Sequence, residues 1–226
     1  DALEPLTTGG WRIGSGDEVW TCRAVVLAVE APAAGALLAP LDAGAAETCA
    51  AIQYAPMASI CLDIDPASAQ RPLEGFGFLV PSAAELRLLG GLFMSRLFPG
   101  RAPAGRELVT AMIGGLRWPE AVDASDGTLL AHVHEGLDRA LGTGDGPRPL
   151  LVNRWVQAVP QPGREHGAKI RRIREAADGL PTLAFAGGWL DGVAVSSALG
   201  SGLAAGARVA EALAGGSVDP TPHPAG

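Results

Sequence analysis

Cysteines and aromatic residues are scarce in this sequence, which has three cysteines and 5% aromatic residues among 226 positions. Cys22, Cys49 and Cys61 are odd in number and form no CxxC pair. The sequence therefore predicts neither a disulfide framework nor a zinc site, and we expect no bound metal. Because free thiols are typical of a reducing compartment, we expect a cytoplasmic protein.

Positive charge and long apolar runs are also lacking. The net charge is −7 and the pI is about 5.1, which argues against binding of nucleic acid, or of an anionic membrane, through bulk electrostatics. No stretch reaches the roughly 18 apolar residues of a bilayer-spanning helix, and the first residues do not have the pattern that would lead us to expect a signal peptide. Since the first residue is Asp1 and not Met, we expect one portion of a longer protein.

The composition is that of a globular protein, with 48% hydrophobic residues. The unalternating apolar runs Ala24–Val29 and Leu183–Ala186 predict buried parallel strands near the two ends. Between them, the proline-separated runs Phe76–Val80, Leu88–Leu97 and Glu107–Ile113 are typical of an antiparallel sheet. We predict two domains interleaved in sequence, with the first and last segments sharing one sheet. Helices are predicted over residues 33–51 with a break at Pro40, 125–141, 166–177 and 196–213.

The stretch from Thr182 to Leu213 combines a short strand, a glycine-rich turn and a long helix of small residues. Gly187, Gly188 and Gly192 allow close approach of a ligand to the backbone, and Ser196 or Ser197 can cap the following helix. Such a helix start attracts anionic cofactors. Close packing of the helix on the strand is an equally good interpretation of this pattern on its own.

Six segments taken together resemble the flavoprotein protoporphyrinogen oxidases, in their C-terminal half. The segments are GFGFLVP (75–81), LFPGRAP (97–103), IGG (113–115), SDGTLLAHV (125–133), RWVQAVPQ (154–161) and LPTLAFAGGWLDGVAV (180–195). The resemblance implies a mixed α/β and α+β fold, namely the C-terminal part of a Rossmann-like FAD-binding domain with an inserted antiparallel-sheet substrate domain. Residues 1–38 and 180–215 would belong to the FAD domain and 39–179 to the substrate domain, followed by a flexible tail over 216–226.

The resemblance also implies an activity, the oxidation of protoporphyrinogen IX to protoporphyrin IX in haem biosynthesis, with FAD as cofactor and dioxygen as acceptor. It allows a homodimer and peripheral membrane association of the full enzyme. The positions that match the family's C-terminal FAD contacts are Gly188, Val193, Ala194 and Val195. The positions that match its substrate pocket are Leu79, Leu92 and Met112, although leucine and methionine on strands are more often ordinary core residues.

The sequence departs from the family pattern in ways that leave alternatives open. No GxGxxG follows a strand, so we expect the isolated chain to bind FAD weakly or not at all. The substrate could also be coproporphyrinogen III, or the chain could be a non-catalytic domain that binds a partner or a tetrapyrrole. His166 could act on a porphyrinogen proton, but its position beside Arg164 and Lys169 is more typical of an exposed helix surface.

Overall fold

The computed structural model describes residues 2–180 and 182–215. The tail predicted over 216–226 lies outside the described residues. The chain divides into two compact units. We call the described residues up to Gln53 and from Pro160 onward the terminal unit, and Tyr54–Val159 the middle unit.

The described residues contain ten strands and seven α-helices. The strands are β1 (Ala2–Pro5), β2 (Trp11–Ser15), β3 (Glu18–Cys22), β4 (Val25–Leu27), β5 (Tyr54–Ile64), β6 (Gly77–Leu79), β7 (Leu88–Phe93), β8 (Glu107–Gly114), β9 (Arg148–Pro160) and β10 (Leu183–Phe185). The helices are α1 (Ala31–Leu38), α2 (Ala43–Ala50), α3 (Met94–Leu97), α4 (Asp126–Leu141), α5 (His166–Asp178), α6 (Gly188–Asp191) and α7 (Val195–Gly215).

The terminal unit contains two small sheets. Strands β1, β2 and β3 form an antiparallel meander, whereas β4 and β10 pair in parallel with Val25 opposite Leu183. Helix α7 packs on β10, where Ala184 and Ala205 are both buried and their small side chains allow close approach. The parallel pair confirms the prediction that the first and last segments of the chain share one sheet.

Strand β4 is less buried than its sequence predicts. The run Ala24–Val29 was expected to be fully buried, yet Val26 is 38% exposed while Val25 and Leu27 are buried. The prediction is wrong for this strand because an apolar run without alternation indicates a strand whose two faces are both buried. The described neighbours of this three-residue strand cover only one of them.

The middle unit is built on a five-stranded sheet in the order β6-β7-β8-β5-β9. The pairs β6/β7 and β7/β8 are antiparallel, as the sequence predicts. Strand β5 also pairs with β8 in the antiparallel sense. Burial alternates along β5 and β8, so that Ile60, Leu62 and Val109 point to one face. Helix α4 supplies Leu129 and Leu137 to the same core, and the opposite face is half-exposed.

Helix α4 begins where the sequence predicts. The Ser125 hydroxyl accepts a hydrogen bond from the N–H of Thr128 at 3.2 Å, and Gly142 ends the helix with φ +70°. Gly136 lies against β7, because a Cβ at this position would be 2.5 Å from the nearest atom of Leu88. This glycine allows the helix to pack closely on the sheet.

The end of one predicted strand differs in the structure. The run Leu88–Leu97 was expected to be one strand, but β7 ends at Phe93 and the rest forms α3. The hydroxyl of Ser95 in α3 accepts the N–H of Leu108 at 3.0 Å, in place of a strand partner.

The compact units also differ from the predicted domain bounds of 39–179, because residues 39–53 and 160–179 group with the terminal unit. Helix α5 packs on α2 there, and Arg172 donates to Asp42 at 2.6 Å. The assignment of either unit to a cofactor or a substrate stays a prediction.

Candidate functional site

The glycine-rich turn of the terminal unit connects β10 to α7 through an additional short helix. Gly187 has φ +147° and Gly192 has φ +136°, a backbone region in which glycine is strongly favoured. Between them, α6 (Gly188–Asp191) forms a single helical turn. The sequence predicts a turn here, and the structure adds this helix within it.

Two buried side chains hold the turn in place. Trp189 is 3% exposed, and its Nε1 donates to the carbonyl of Val29 at 2.9 Å. Ser201 of α7 accepts the N–H of Gly187 at 2.9 Å and donates to the carbonyl of Ala198 at 2.7 Å. The turn is therefore bonded both to the segment after β4 and to α7, so its backbone is preorganised.

Helix α7 begins at Val195, and this corrects the predicted cap. Ser196 and Ser197 lie inside the first turn, whereas the carbonyl of Ala194 accepts the first helical bond, from the N–H of Ala198 at 3.0 Å. Helix geometry leaves the earlier N–H groups without an intrahelical acceptor. Together with the helix dipole, these groups favour a negatively charged partner at this end of α7.

A cavity of about 240 Å³ opens beside the turn. Its lining consists of residues 188–193 with Pro160, Pro162 and His166. A Cβ built on Gly188 would lie 3.4 Å from the Cα of Val193, which is an ordinary contact, and the φ of Gly188 is not positive. Among the described residues, neither backbone conformation nor packing requires glycine at 188, and the position of Gly188 in the cavity lining leaves its binding role a prediction.

His166 belongs to this cavity, which the sequence does not predict. It is the first residue of α5 and is half-buried, so it lies on a helix surface, as expected, but is less exposed than its charged sequence neighbours suggest. The fold brings it to the lining that also contains Gly188 and Val193. In the sequence, the one signal for a place in this lining is that His166 follows shortly after the VPQ segment.

Ion pairs connect α5 to neighbouring segments, and one of them neutralises Asp191, the acidic side chain of the turn. Arg174 of α5 donates to both carboxylate oxygens of Asp191 at 2.8 Å, and Asp191 contributes to the cavity lining. On another side of the same helix, Arg172 bonds to Asp42, and this bond, helped by the N–H of Ala45, holds the pKa of the Asp42 carboxyl below its ordinary value. The pairing of Asp191 leaves the cavity compatible with an anionic ligand.

The three predicted substrate contacts share one face of the middle-unit sheet. Leu79 lies opposite Gly90, and Gly90 lies opposite Met112. Leu92, two residues after Gly90, points to the same side. This face is the one turned away from α4. The structure therefore brings the three residues together, and their role in binding stays a prediction.

The same face shows why these residues are not ordinary core. Leu79 is 82% exposed, while Leu92 and Met112 are half-buried. Their neighbours across the sheet are small or polar, since Thr110 lies opposite both Leu92 and Cys61. The result is a partly apolar sheet face, on which leucine and methionine side chains are accessible to an apolar ligand.

Metal ligands and membrane spans are both missing from the part of the chain that the structure describes. There, no three or more His, Cys, Asp or Glu side chains are placed to hold a metal ion, and no helix is both long and apolar enough to cross a bilayer. The three cysteines are free thiols. Burial raises the pKa of the Cys49 thiol to about 11, which makes it an unreactive core residue.

Comparison with known proteins agrees with these features. Residues 8–210 match the family described as flavin containing amine oxidoreductase. The chain is 34% identical over 175 residues to the mitochondrial protoporphyrinogen oxidase of Nicotiana tabacum, which covers 76% of this chain and 35% of that protein. It is 27% identical over 150 residues to the coproporphyrinogen III oxidase of Bacillus subtilis (strain 168), covering 66% of this chain and 32% of that protein.

Among solved structures, the chain superposes on a candidate protoporphyrinogen oxidase from Exiguobacterium sp. 255-15. The TM-score is 0.77 at 22% sequence identity, covering 94% of this chain and 46% of that one. This likeness shows a shared fold. The matches confirm the resemblance seen in the sequence, and the chain spans about a third of the length of the curated relatives it matches.

Proposed function

The chain belongs to the flavin containing amine oxidoreductase family, and we propose that it forms the C-terminal part of an FAD-dependent porphyrinogen oxidase. The proposed reaction is the oxidation of protoporphyrinogen IX to protoporphyrin IX, as a step of haem biosynthesis. The observation that carries this proposal is the 34% identity over 175 residues to the protoporphyrinogen oxidase of Nicotiana tabacum.

In this proposal the terminal unit contributes to a Rossmann-like FAD domain and the middle unit is the inserted substrate domain. The residues that would hold the flavin are Gly188, Val193, Ala194 and Val195. Gly188 leaves space at the cavity beside the turn, and the N–H groups at the start of α7 stabilise negative charge. When bound, a flavin supplies the two-electron acceptor for dehydrogenation.

The chain's own residues would act chiefly by positioning. Trp189 and Ser201 hold the turn in one conformation, so its backbone groups need no rearrangement when they meet a ligand. Leu79, Leu92 and Met112 would form the apolar wall for the flat tetrapyrrole. An apolar wall also excludes water from the reacting carbon, which suits hydrogen removal without a side-chain acid or base.

The remaining parts of the proposal concern acceptor, assembly and location. Dioxygen is proposed as the electron acceptor and a porphyrinogen as the substrate. A cytoplasmic location fits the three free cysteines, and a homodimer with peripheral membrane association is proposed for the full enzyme.

A second candidate substrate is coproporphyrinogen III. The similarity to the coproporphyrinogen III oxidase of Bacillus subtilis favours it, at 27% identity over 150 residues. The two substrates differ in their side groups: coproporphyrinogen III carries propionate groups at two positions where protoporphyrinogen IX carries vinyl groups. A third candidate, a non-catalytic domain that binds a tetrapyrrole or a partner, is favoured by the lack of a GxGxxG segment in these 226 residues.

The test is to express the complete reading frame that contains this sequence and to measure flavin absorbance and porphyrin fluorescence with each porphyrinogen. We expect bound flavin and faster porphyrin formation from protoporphyrinogen IX than from coproporphyrinogen III. The reverse preference would support the second candidate. A colourless protein that cannot be reconstituted with FAD and oxidises neither substrate would contradict the proposed oxidase.

Gly188→Ala refines this test, because its Cβ fits without a clash in this chain. We expect unchanged thermal unfolding but weaker flavin binding. Gly200→Ala in the exposed part of α7 is the matched control, since a Cβ there meets no atom within 4 Å. Equal flavin affinities for the two variants would argue against a flavin at Gly188.

A further inference from the structure

A second cavity, of about 370 Å³, opens on the terminal unit where α5 packs on α2. Its lining comes from two segments: residues 51–53, directly after α2, and six residues between positions 161 and 169. His166 also lines the cavity beside the turn, but Gly188 and Val193 do not line this one. The two cavities are therefore neighbours with different linings.

Two hydrogen bonds hold the segments of this lining together. The N–H of Gln161 donates to the carbonyl of Gln53 at 2.8 Å, and the Nζ of Lys169 donates to the carbonyl of Ala51 at 2.7 Å. Ile52, between the two acceptors, is buried. Because both bonds join distant parts of the sequence, the fold forms this cavity without the help of a ligand.

The lining contains three basic side chains that a ligand can reach. Arg164 is exposed, and His166 and Lys169 are half-buried. The side chains of Arg164 and His166 form no hydrogen bond or ion pair with any of the residues that the structure describes. Lys169 uses one of its three ammonium donors on Ala51, which leaves two for a ligand.

The surplus of positive charge in this lining contrasts with the protein as a whole, whose net charge is −7. The lining has one carboxylate, Glu165, which is exposed and forms no ion pair within the described part of the chain. Two cations, Arg164 and Lys169, thus outnumber it. Such a local surplus attracts small anions from solution.

We propose that this cavity binds a small oxyanion, a phosphate or carboxylate group, whose oxygens accept hydrogen bonds from the guanidinium of Arg164 and the ammonium of Lys169. A planar guanidinium donates two parallel bonds to either group, and an ammonium adds a further one. A cation would be repelled by both side chains. A purely apolar ligand would take water from their donors without replacing it.

The test uses the full chain, with inorganic phosphate and acetate as separate probes at the same low ionic strength. Binding is followed by NMR shifts of the backbone amides of residues 161–169. We expect saturation below about 10 mM for at least one probe. Tighter binding of phosphate would identify a phosphorylated ligand, and tighter binding of acetate a carboxylate ligand. Either result supports an oxyanion site.

Arg164→Gln removes one cation from the lining and breaks no bond to another described residue. It should weaken binding about fivefold. Arg171→Gln is the matched control, because Arg171 is exposed on the same helix and lies outside the lining. The change in net charge is identical, and we expect this variant to bind both probes as the parent chain does.

Gly163→Glu tests the same cavity by adding a negative charge to its lining. A Cβ on Gly163 meets no atom within 4 Å, and its φ is not positive, so the substitution should leave the fold unchanged. We expect it to abolish saturable binding, because the new carboxylate competes for the same donors and repels the anion.

Three results would overturn the proposal. The first is the lack of saturable binding of either probe. The second is equal weakening by Arg164→Gln and Arg171→Gln, which would mean a general effect of net charge. The third is unchanged binding by Gly163→Glu, which would mean that the anion binds elsewhere on the surface. Neither flavin nor porphyrinogen is present in this experiment. A negative result therefore leaves the proposed oxidase function untouched, and a negative oxidase assay leaves this site untouched.

Discussion

Ser201→Ala should destabilise the terminal unit and loosen the glycine-rich turn. Ser201 is 5% exposed, and its hydroxyl accepts the Gly187 N–H at 2.9 Å while donating to the carbonyl of Ala198 at 2.7 Å. No other side chain of the described residues is bonded to this N–H. The substitution removes one oxygen atom and keeps the remaining packing of α7 on β10.

Two effects of opposite sign set the magnitude. Leaving a part-buried N–H without its acceptor costs about 1–3 kcal/mol. Alanine has a higher helix propensity than serine, which offsets about 0.5 kcal/mol. We therefore expect the free energy of unfolding to fall by about 0.5–2.5 kcal/mol relative to the parent chain.

The assay is urea unfolding followed by tryptophan fluorescence, to which Trp189 in the turn contributes. Ser196→Ala is the matched control, because Ser196 is exposed in the first turn of the same helix and the change in side chain is identical. Hydrogen exchange at the Gly187 amide gives a local reading. Its protection should drop in Ser201→Ala and stay at the parent level in Ser196→Ala.

The reasoning would be refuted if both variants unfolded at the same urea concentration with unchanged exchange at Gly187. A lower stability with normal protection at Gly187 would also count against it. In that case the hydroxyl would matter for α7 itself and not for the turn.

Three further predictions concern other parts of the chain. The Asp42 carboxylate has its pKa lowered from 3.8 by Arg172 and by the helix N–H groups that it caps. Its contribution to stability is therefore present above about pH 4 and lost as the pH falls through the lower folded-state pKa. Asp42→Asn should lower the urea midpoint at pH 7 and flatten its decline in acid. Cys49, whose pKa is raised to about 11 by burial, should react with a thiol reagent after the other two cysteines, as mass spectrometry of labelled peptides would detect. Gly136→Ala should lower the free energy of unfolding by about 1–3 kcal/mol through overpacking, whereas Gly200→Ala should raise it by up to about 1 kcal/mol, both measured in denaturant.

Much of the fold could be predicted because its signals are local. The start of α4 follows from the capping hydroxyl of Ser125, and the break between α1 and α2 follows from Pro40. The end of β7 could not be predicted in this way, because Leu88–Leu97 is one apolar run. What ends the strand is Ser95, whose hydroxyl accepts an N–H from β8, thirteen residues away.

The candidate site could be predicted from the sequence only for those residues that lie within one motif. Gly188 and Val193 lie within one segment of the chain, and the structure brings them to one cavity. The bond from Trp189 to Val29 spans 160 residues, so nothing near either residue indicates it. The charged sequence neighbours of His166 favour a surface position, whereas the fold turns it to the cavity lining.

The three glycines of the turn show how much the structure adds. In the sequence Gly187, Gly188 and Gly192 are equivalent, and ligand approach competes with packing as the explanation for each. The positive φ values of Gly187 and Gly192 account for those two without any ligand. Gly188 has neither a positive φ nor a neighbour that would lie closer than 3.4 Å to an added Cβ, so packing leaves it unexplained. Close approach of a ligand therefore stays a prediction for Gly188 alone among the three, which is why the flavin-binding test is concentrated on that position.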